Sequence, residues 1–262
     1  YYYNGDVMLD KDINKNIEKI KNDYNNSCDL SFKDINILKK RVSLVYLSSI
    51  CDNNLIDNFL LKNINKLSKN IKSYKNIITC FFNTTPSINM KSVNTFDEIY
   101  KSLGDGFVVI LFEDYDTSII VEAKKDLSRG IQQPVIEQAI SGPKDSFNED
   151  YMSNIGLIRK RIKTNNLIVQ EKIIGKETET KVSICYMKNI IETTLLDEVI
   201  KKLDNIDTDG IIDSTYIKEY LESKNSVFTL INITERPDVS VMNLLNGKII
   251  LIVENSPFAL II

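Results

Sequence analysis

Two groups of acids are the obvious places to look for chemistry in this chain: Asp114-Tyr115-Asp116, and Asp204, Asp207 and Asp209. Converging carboxylates can exchange a proton with a substrate or hold a hard cation through oxygen. The first group falls in an expected hairpin loop and the second in a turn between helices, and the second departs from the calcium-loop spacing. Both read as turn formers. Gly104-Asp105-Gly106 is too short to cradle a phosphate. The sequence holds no His, which removes histidine triads, imidazole bases and the usual zinc and iron ligand sets. Cys28, Cys51, Cys80 and Cys185 form no CxxC pair, and Cys51 and Cys185 sit in or beside apolar strand runs, where reduced buried thiols are expected. No enzymatic activity, cofactor or metal is expected.

A second set of polar residues suits contact rather than catalysis. Arg129, Glu137, Lys144, Asn154, Arg159, Arg161, Glu235 and Arg236 are the candidates for ligand or interface contacts. Arg159, Lys160, Arg161 and Lys163 gather where a helix is expected to end, a place that favours positive charge. They suit either a solvated helix terminus or contact with an anion or another subunit. Glu235-Arg236-Pro237-Asp238 reads as a helix-entry turn with Asp238 as the cap. Net charge is −3 with both signs mixed along the chain, which argues against generic nucleic-acid binding.

The elements that must position these residues are written twice. "RVSLVYLSSICDNNLIDNF" at 41–59 returns as "KVSICYMKNIIETTLLDEV" at 181–199, pairing Val42 with Val182, Ser43 with Ser183, Tyr46 with Tyr186 and Ile50 with Ile190. Upstream of each copy lies a helical run, Ile13, Ile17, Ile20 and Tyr24 in one case, Met152, Ile155, Ile158 and Ile162 in the other. A strand follows each, at 29–37 and 166–174, then a polar turn and the matched strand. Asn53-Asn54 and Thr193-Thr194 then suit helix caps. The middle strands are expected at 76–82 and 226–233, the second copy inserting a helix at 213–223. Two short helices stop near Gly106 and Gly247 and feed strand pairs, 107–114 with 118–123 and 248–255 with 258–262. Apolar content of 43% suits a globular chain with a real core. The reading is an α/β fold of two homologous lobes, 1–121 and 149–262, each a mixed β-sheet packed by helices, with an interlobe linker at 122–148. In the linker "PVIEQAI" suits a strand, "SGPKDSF" a turn, and Asn148 or Ser146 a cap for the next helix. A cleft between the lobes is the natural place for a small ligand.

The stretch "RGIQQPVIEQAISGPKDSFNEDYMSNIGLIRKRIKTNNL" resembles the signature of the soluble N-terminal domain of the spore germinant receptor A-subunit family. "TERPD" at 234–238 and "ENSPFALII" at 254–262 are similar too, as is the N-terminal part, so the resemblance covers nearly the whole chain. Ser141 stands where the family often has Arg, and Lys144-Asp145 where it has Arg-Glu. The resemblance implies a nutrient-sensing receptor component of the spore inner membrane, working with B- and C-type subunits and further A subunits. The chain would then be a membrane-adjacent piece of a longer protein, both ends looking cut, and would reach the membrane through its missing C-terminal region. On that reading it serves nutrient sensing, assembly and signal coupling. The alternative is a two-lobe module that holds the nutrient germinant itself.

Overall fold

The computed structural model of the chain describes residues 7–57, 62, 64, 73–84, 89–127, 137, 142–222 and 231–262. The chain divides into two compact units, one of Tyr1–Asp126 with Lys163–Asn165, the other of Leu127–Ile162 and Asn166–Ile262.

In the first unit α1 (Ile13–Asp23) starts at Asp12, whose side chain accepts from the Asn14 amide. Ile13, Ile17 and Ile20 fall on one face and are buried, which is why the run is helical. Full burial of a side chain such as Ile20 contributes about 1.5–3 kcal/mol. Strands β1 (Leu30–Ile37) and β2 (Lys40–Leu47) follow, joined through Leu38 and Lys39 at φ 49° and 66°. Two successive positive-φ residues let a tight hairpin match the strand twist. A helical turn at Asn53–Leu55, α2 (Ile77–Thr84), β3 (Met90–Val93), α3 (Phe96–Gly104), β4 (Phe107–Phe112) and β5 (Ser118–Glu122) complete the unit. The sheet order is β1-β2-β4-β5-β3. One face packs Val42, Leu44, Ile110 and Phe112 against Ile77 and Phe81 of α2. Burial pushes the thiol of Cys51, which belongs to this core, up to about 12.

The second unit contains α4 (Tyr151–Arg159), β6 (Leu167–Ile174), β7 (Thr180–Met187), α5 (Thr193–Asp204), α6 (Ser214–Leu221), β8 (Asn232–Thr234), α7 (Pro237–Leu245), β9 (Ile250–Val253) and β10 (Ala259–Ile261). Its sheet order, β6-β7-β9-β10-β8, is that of the first unit. The expected insertion of a helix at 213–223 is corrected: α6 stands between α5 and β8 as α2 stands between Asn53–Leu55 and β3, with Ile217 and Leu221 in the core as Ile77 and Phe81 are. The likeness extends to register: Val42 faces Phe112 as Val182 faces Val253, and Val93 faces Ser118 as Thr234 faces Ala259. Single side chains repeat as well. Asn16 accepts from the Asp10 amide at 2.9 Å and donates to the Asp10 carbonyl at 2.6 Å; Asn154 does the same with Asn148 at 2.9 and 2.5 Å. Gly106 and Gly247 sit at φ 79° and 81°, where a Cβ would stand 3.3 Å from the Ile50 carbonyl oxygen and 3.1 Å from that of Ile190. Both conditions call for glycine. The internal repeat is therefore carried by backbone bonds and register as well as by pattern.

Several expectations need correction. Residues 76–82 do not form a strand: Ile77 and Phe81, four apart, place one face of α2 on the core. A short continuous apolar run does not reveal its period, and burial of that face decided it. Of 226–233 only the end is described, and strand β8 begins at Asn232. Every named strand pair is antiparallel, so neither sheet is of mixed direction, in the hairpin pairs β1-β2, β4-β5, β6-β7 and β9-β10 and in the non-consecutive pairs alike. Asp52, ahead of Asn53-Asn54, accepts the first-turn amides. Glu192 precedes α5 without a side-chain cap bond, so Thr193 and Thr194 are inside the helix. Asp150 caps α4, while Asn148 accepts from the Asp150 amide and Ser146 donates to the Phe147 carbonyl. No helix among the described residues is long and apolar enough to cross a membrane.

Candidate functional site

The polar candidates concentrate in the second unit, at the entry to α7 and along α4. Strand β8 ends at Thr234 and α7 begins with Pro237, whose missing amide is harmless at the first helical position. Between them Glu235 is only 6% exposed. The Glu137 amide donates to Glu235 Oε1 at 2.7 Å; in return Glu137 Oε2 accepts from the Thr234 hydroxyl at 2.5 Å and the Glu235 amide at 3.3 Å. Each carboxylate thus satisfies backbone of the other's segment. The Phe147 amide adds a bond to the Glu235 carbonyl at 2.8 Å. Glu137 and Phe147 therefore anchor their stretches at one corner.

Arg236 grips Asp238 through Nε at 3.1 Å and Nη2 at 2.6 Å. Asp238 is consequently not the expected cap of α7: its carboxylate is held by the guanidinium inside the first turn, where the helix dipole also favours it. Burial alone would raise the Asp238 carboxyl, but the Arg236 bond and charge outweigh it and hold it below the usual 3.8. A carboxyl lowered by folding adds stability above its unfolded value and gives that up as pH falls through the folded one. Acid titration from pH about 4 downward should therefore lower the melting temperature of the wild-type second unit more steeply than that of Asp238→Asn. Parallel curves would contradict this.

Along α4 the candidates brace the same unit. Asn154 is buried on the Asn148 backbone, as described. Arg159 is 1% exposed and its Nη1 donates to the Leu167 carbonyl at 2.8 Å, fastening α4 to the start of β6. Arg161 places Nη2 2.7 Å from both oxygens of Asp145 and Nη1 3.0 Å from the Leu157 carbonyl. Lys144, between Pro143 and Asp145, is exposed, and no described residue forms an ion pair with it. Arg129 lies outside the described residues, as do all of "PVIEQAI" but Glu137. The basic cluster at 159–163 thus splits into a buried strut at Arg159, a paired Arg161 and, in the first unit, Lys163 bonded to Asp105 at 2.6 Å.

The acidic groups are spent similarly. Asp204 pairs with Lys172 and Asp207 with Lys176 beside a hollow of about 260 Å³. Asp114 pairs with Lys40 at 2.8 Å. Among the described residues no group of His, Cys, Asp or Glu is arranged to hold a metal ion. What sequence reasoning missed was partnership: Asp145 with Arg161, Glu137 with the backbone at Glu235, and Arg236 with Asp238. Only the last, two residues apart, left a local signal.

A family model described as Bacillus/Clostridium GerA spore germination protein matches residues 18–262. Spore germination protein KA of Bacillus subtilis (strain 168) is 30% identical over 259 residues, covering 97% of this chain and 47% of that protein. Spore germination protein XA of Bacillus anthracis is 38% identical over 169 residues, 64% of this chain and 34% of that protein. The chain thus spans about half the length, or less, of these curated relatives. The crystal structure of the N-terminal domain of the A subunit of the Bacillus megaterium spore germinant receptor GerK3 matches with a TM-score of 0.77 at 25% identity, over 98% of this chain and 96% of that one.

Proposed function

Since the chain belongs to the Bacillus/Clostridium GerA spore germination protein family, we propose that it works as the N-terminal domain of a germinant receptor A subunit, in assembly and signal coupling rather than in catalysis. Residues 1–121 and 149–262 are then its homologous halves, with 122–148 joining them. Its partners are B- and C-type subunits and further A subunits, and its place is beside the spore inner membrane, which it reaches through polypeptide beyond the second unit.

One observation carries this reading. Asn154, Arg159, Arg161, Glu235 and Arg236 direct bonds to their own unit. Groups committed in this way stiffen a corner and fix its shape. They suit a part that is pushed and pulled by neighbours better than one that must release a nutrient. Lys144 is the exception, a described candidate left facing solvent.

Lys144→Glu in the full-length A subunit is the direct test. The variant should keep the wild-type melting curve while recovering about tenfold less B- and C-type subunit on co-purification, as reversal of a rim charge does. In parallel, amino acids, sugars and nucleosides at millimolar concentration should leave the NMR spectrum of the chain unchanged. Undiminished co-purification together with saturable shifts would transfer the function to the nutrient-binding alternative.

A further inference from the structure

The two units differ at one corner where their hydrogen bonds ought to match. In the first unit the chain leaving β5 folds back as a strap over the turn that follows β2. The Ala123 amide donates to the Gly106 carbonyl at 3.2 Å, the Asp52 amide to the Ala123 carbonyl at 2.8 Å, and the Lys125 amide to the Ile50 carbonyl at 2.8 Å. Between these bonds Cys51 and Lys124 form an antiparallel bridge. Ile50, at that turn, is only 6% exposed.

The second unit repeats the strand pair and the turn that lead to that point. Ile249 and Ile262 exchange both backbone bonds, at 3.1 and 2.9 Å, in the position of Val108 and Val121. Ile190, Glu192 and Gly247 stand where Ile50, Asp52 and Gly106 stand. The turn itself is the same: the Ile190 and Ile191 amides both reach the Met187 carbonyl, as those of Ile50 and Cys51 reach Leu47. Yet Ile190 is 44% exposed. No described residue donates to its carbonyl, and none accepts from the Glu192 amide.

We propose that this corner is the docking site for an extended segment of the parent polypeptide that leaves β10, seated as Ala123–Lys125 is seated in the first unit. The inference rests on reading the chain as the N-terminal part of a receptor subunit. The matched crystal structure is an N-terminal domain, and the relatives are about twice as long as this chain, so in such a subunit polypeptide continues past the second unit. The repeat fixes what the occupant must offer. Its second residue after Ile262 supplies a carbonyl to Glu192, and its fourth supplies an amide to Ile190, which excludes proline there. Recognition is by backbone, as when an extended segment joins a sheet, and the side chains need only cover Ile190. Such a strap would tie the start of α5 to whatever lies downstream, which gives the coupling role a physical connection.

Hydrogen exchange at single backbone amides tests this on the protein as it exists. The Asp52 amide serves as internal standard and should be protected in both the 262-residue chain and the full-length subunit. The Glu192 amide should exchange near its unprotected rate in the short chain and about 100-fold more slowly in the full-length subunit. Ile190→Lys, at an exposed position, should leave the short chain folded and abolish the added protection in the longer protein. A second arm appends the first unit's own strap, Glu122–Asp126, after Ile262, and should also slow Glu192. Fast exchange at Glu192 in the full-length subunit, with Asp52 protected, would overturn the proposal. Neither germinant nor other subunits enter these measurements, so a failed assembly role and a failed docking site are separable.

Discussion

Arg159→Glu is expected to destabilise the second unit by about 3–5 kcal/mol. The guanidinium it replaces is 1% exposed and donates to the Leu167 carbonyl at 2.8 Å. A carboxylate there would turn an oxygen toward an oxygen in a site closed to water. Leaving an uncompensated buried charge costs about 3–5 kcal/mol, against a total stability of about 5–15 kcal/mol for a typical domain. Arg159→Lys keeps the charge but lacks the planar fork and should destabilise less. NMR dispersion and trypsin susceptibility of residues 166–262 report the outcome. A stability unchanged by Arg159→Glu would show that the guanidinium is not the strut described. The same burial means that charge reversal at Arg159 or Glu235 would probe folding, so an exposed residue such as Lys144 has to probe assembly.

Gly104→Ala should destabilise the first unit, while the same change at the matching position of the second should do almost nothing. Gly104 closes α3, and a Cβ built on it would stand 2.0 Å from the Lys163 carbonyl oxygen. That neighbour is backbone, so no rotamer change relieves the clash. Either α3 shifts or Lys163–Asn165 leaves, taking the Lys163–Asp105 bond with it. Overpacking of this kind costs about 1–3 kcal/mol, with this case at the upper end because the contact is so close. Its counterpart is Leu245, 51% exposed at the end of α7, where Leu245→Ala should stay within about 0.5 kcal/mol. Chemical denaturation followed by probes in each unit separates the two. Equal effects would mean that the Lys163–Asn165 segment does not bear on α3.

The repeat was legible because it lives in spacing. Val42 and Val182, Ser43 and Ser183, and Ile50 and Ile190 sit on matched strands and turns, and the glycines at 106 and 247 mark matched helix exits. Reading failed where spacing carries no information. Ile77–Phe82 is apolar at nearly every position, so helix and strand leave the same trace, and tertiary burial chose the helix. Two helix caps went wrong, Asp52 standing one residue ahead of Asn53 and Asp150 two residues past Asn148, because Asp, Asn and Ser compete for the same role at an entry. For the candidate site, the right residues were named but their work was not. Arg161 and Asp145 are sixteen positions apart, and nothing local predicts that they share an ion pair. Arg159 looked like part of a solvated cluster because charge in sequence gives no measure of burial.

The high thiol pKa of Cys51 has a bearing on chemical ageing. At neutral pH a thiol raised this far stays protonated, and the ionised sulfur is the nucleophile that reacts with peroxides and disulfides. Among the cysteines, Cys28 is exposed to oxidants in solution, while burial shields the Cys51 sulfur inside the first sheet's core. Cys28 lies in the turn ahead of β1 and outside that core, so a lesion there would not enter the packing around Cys51.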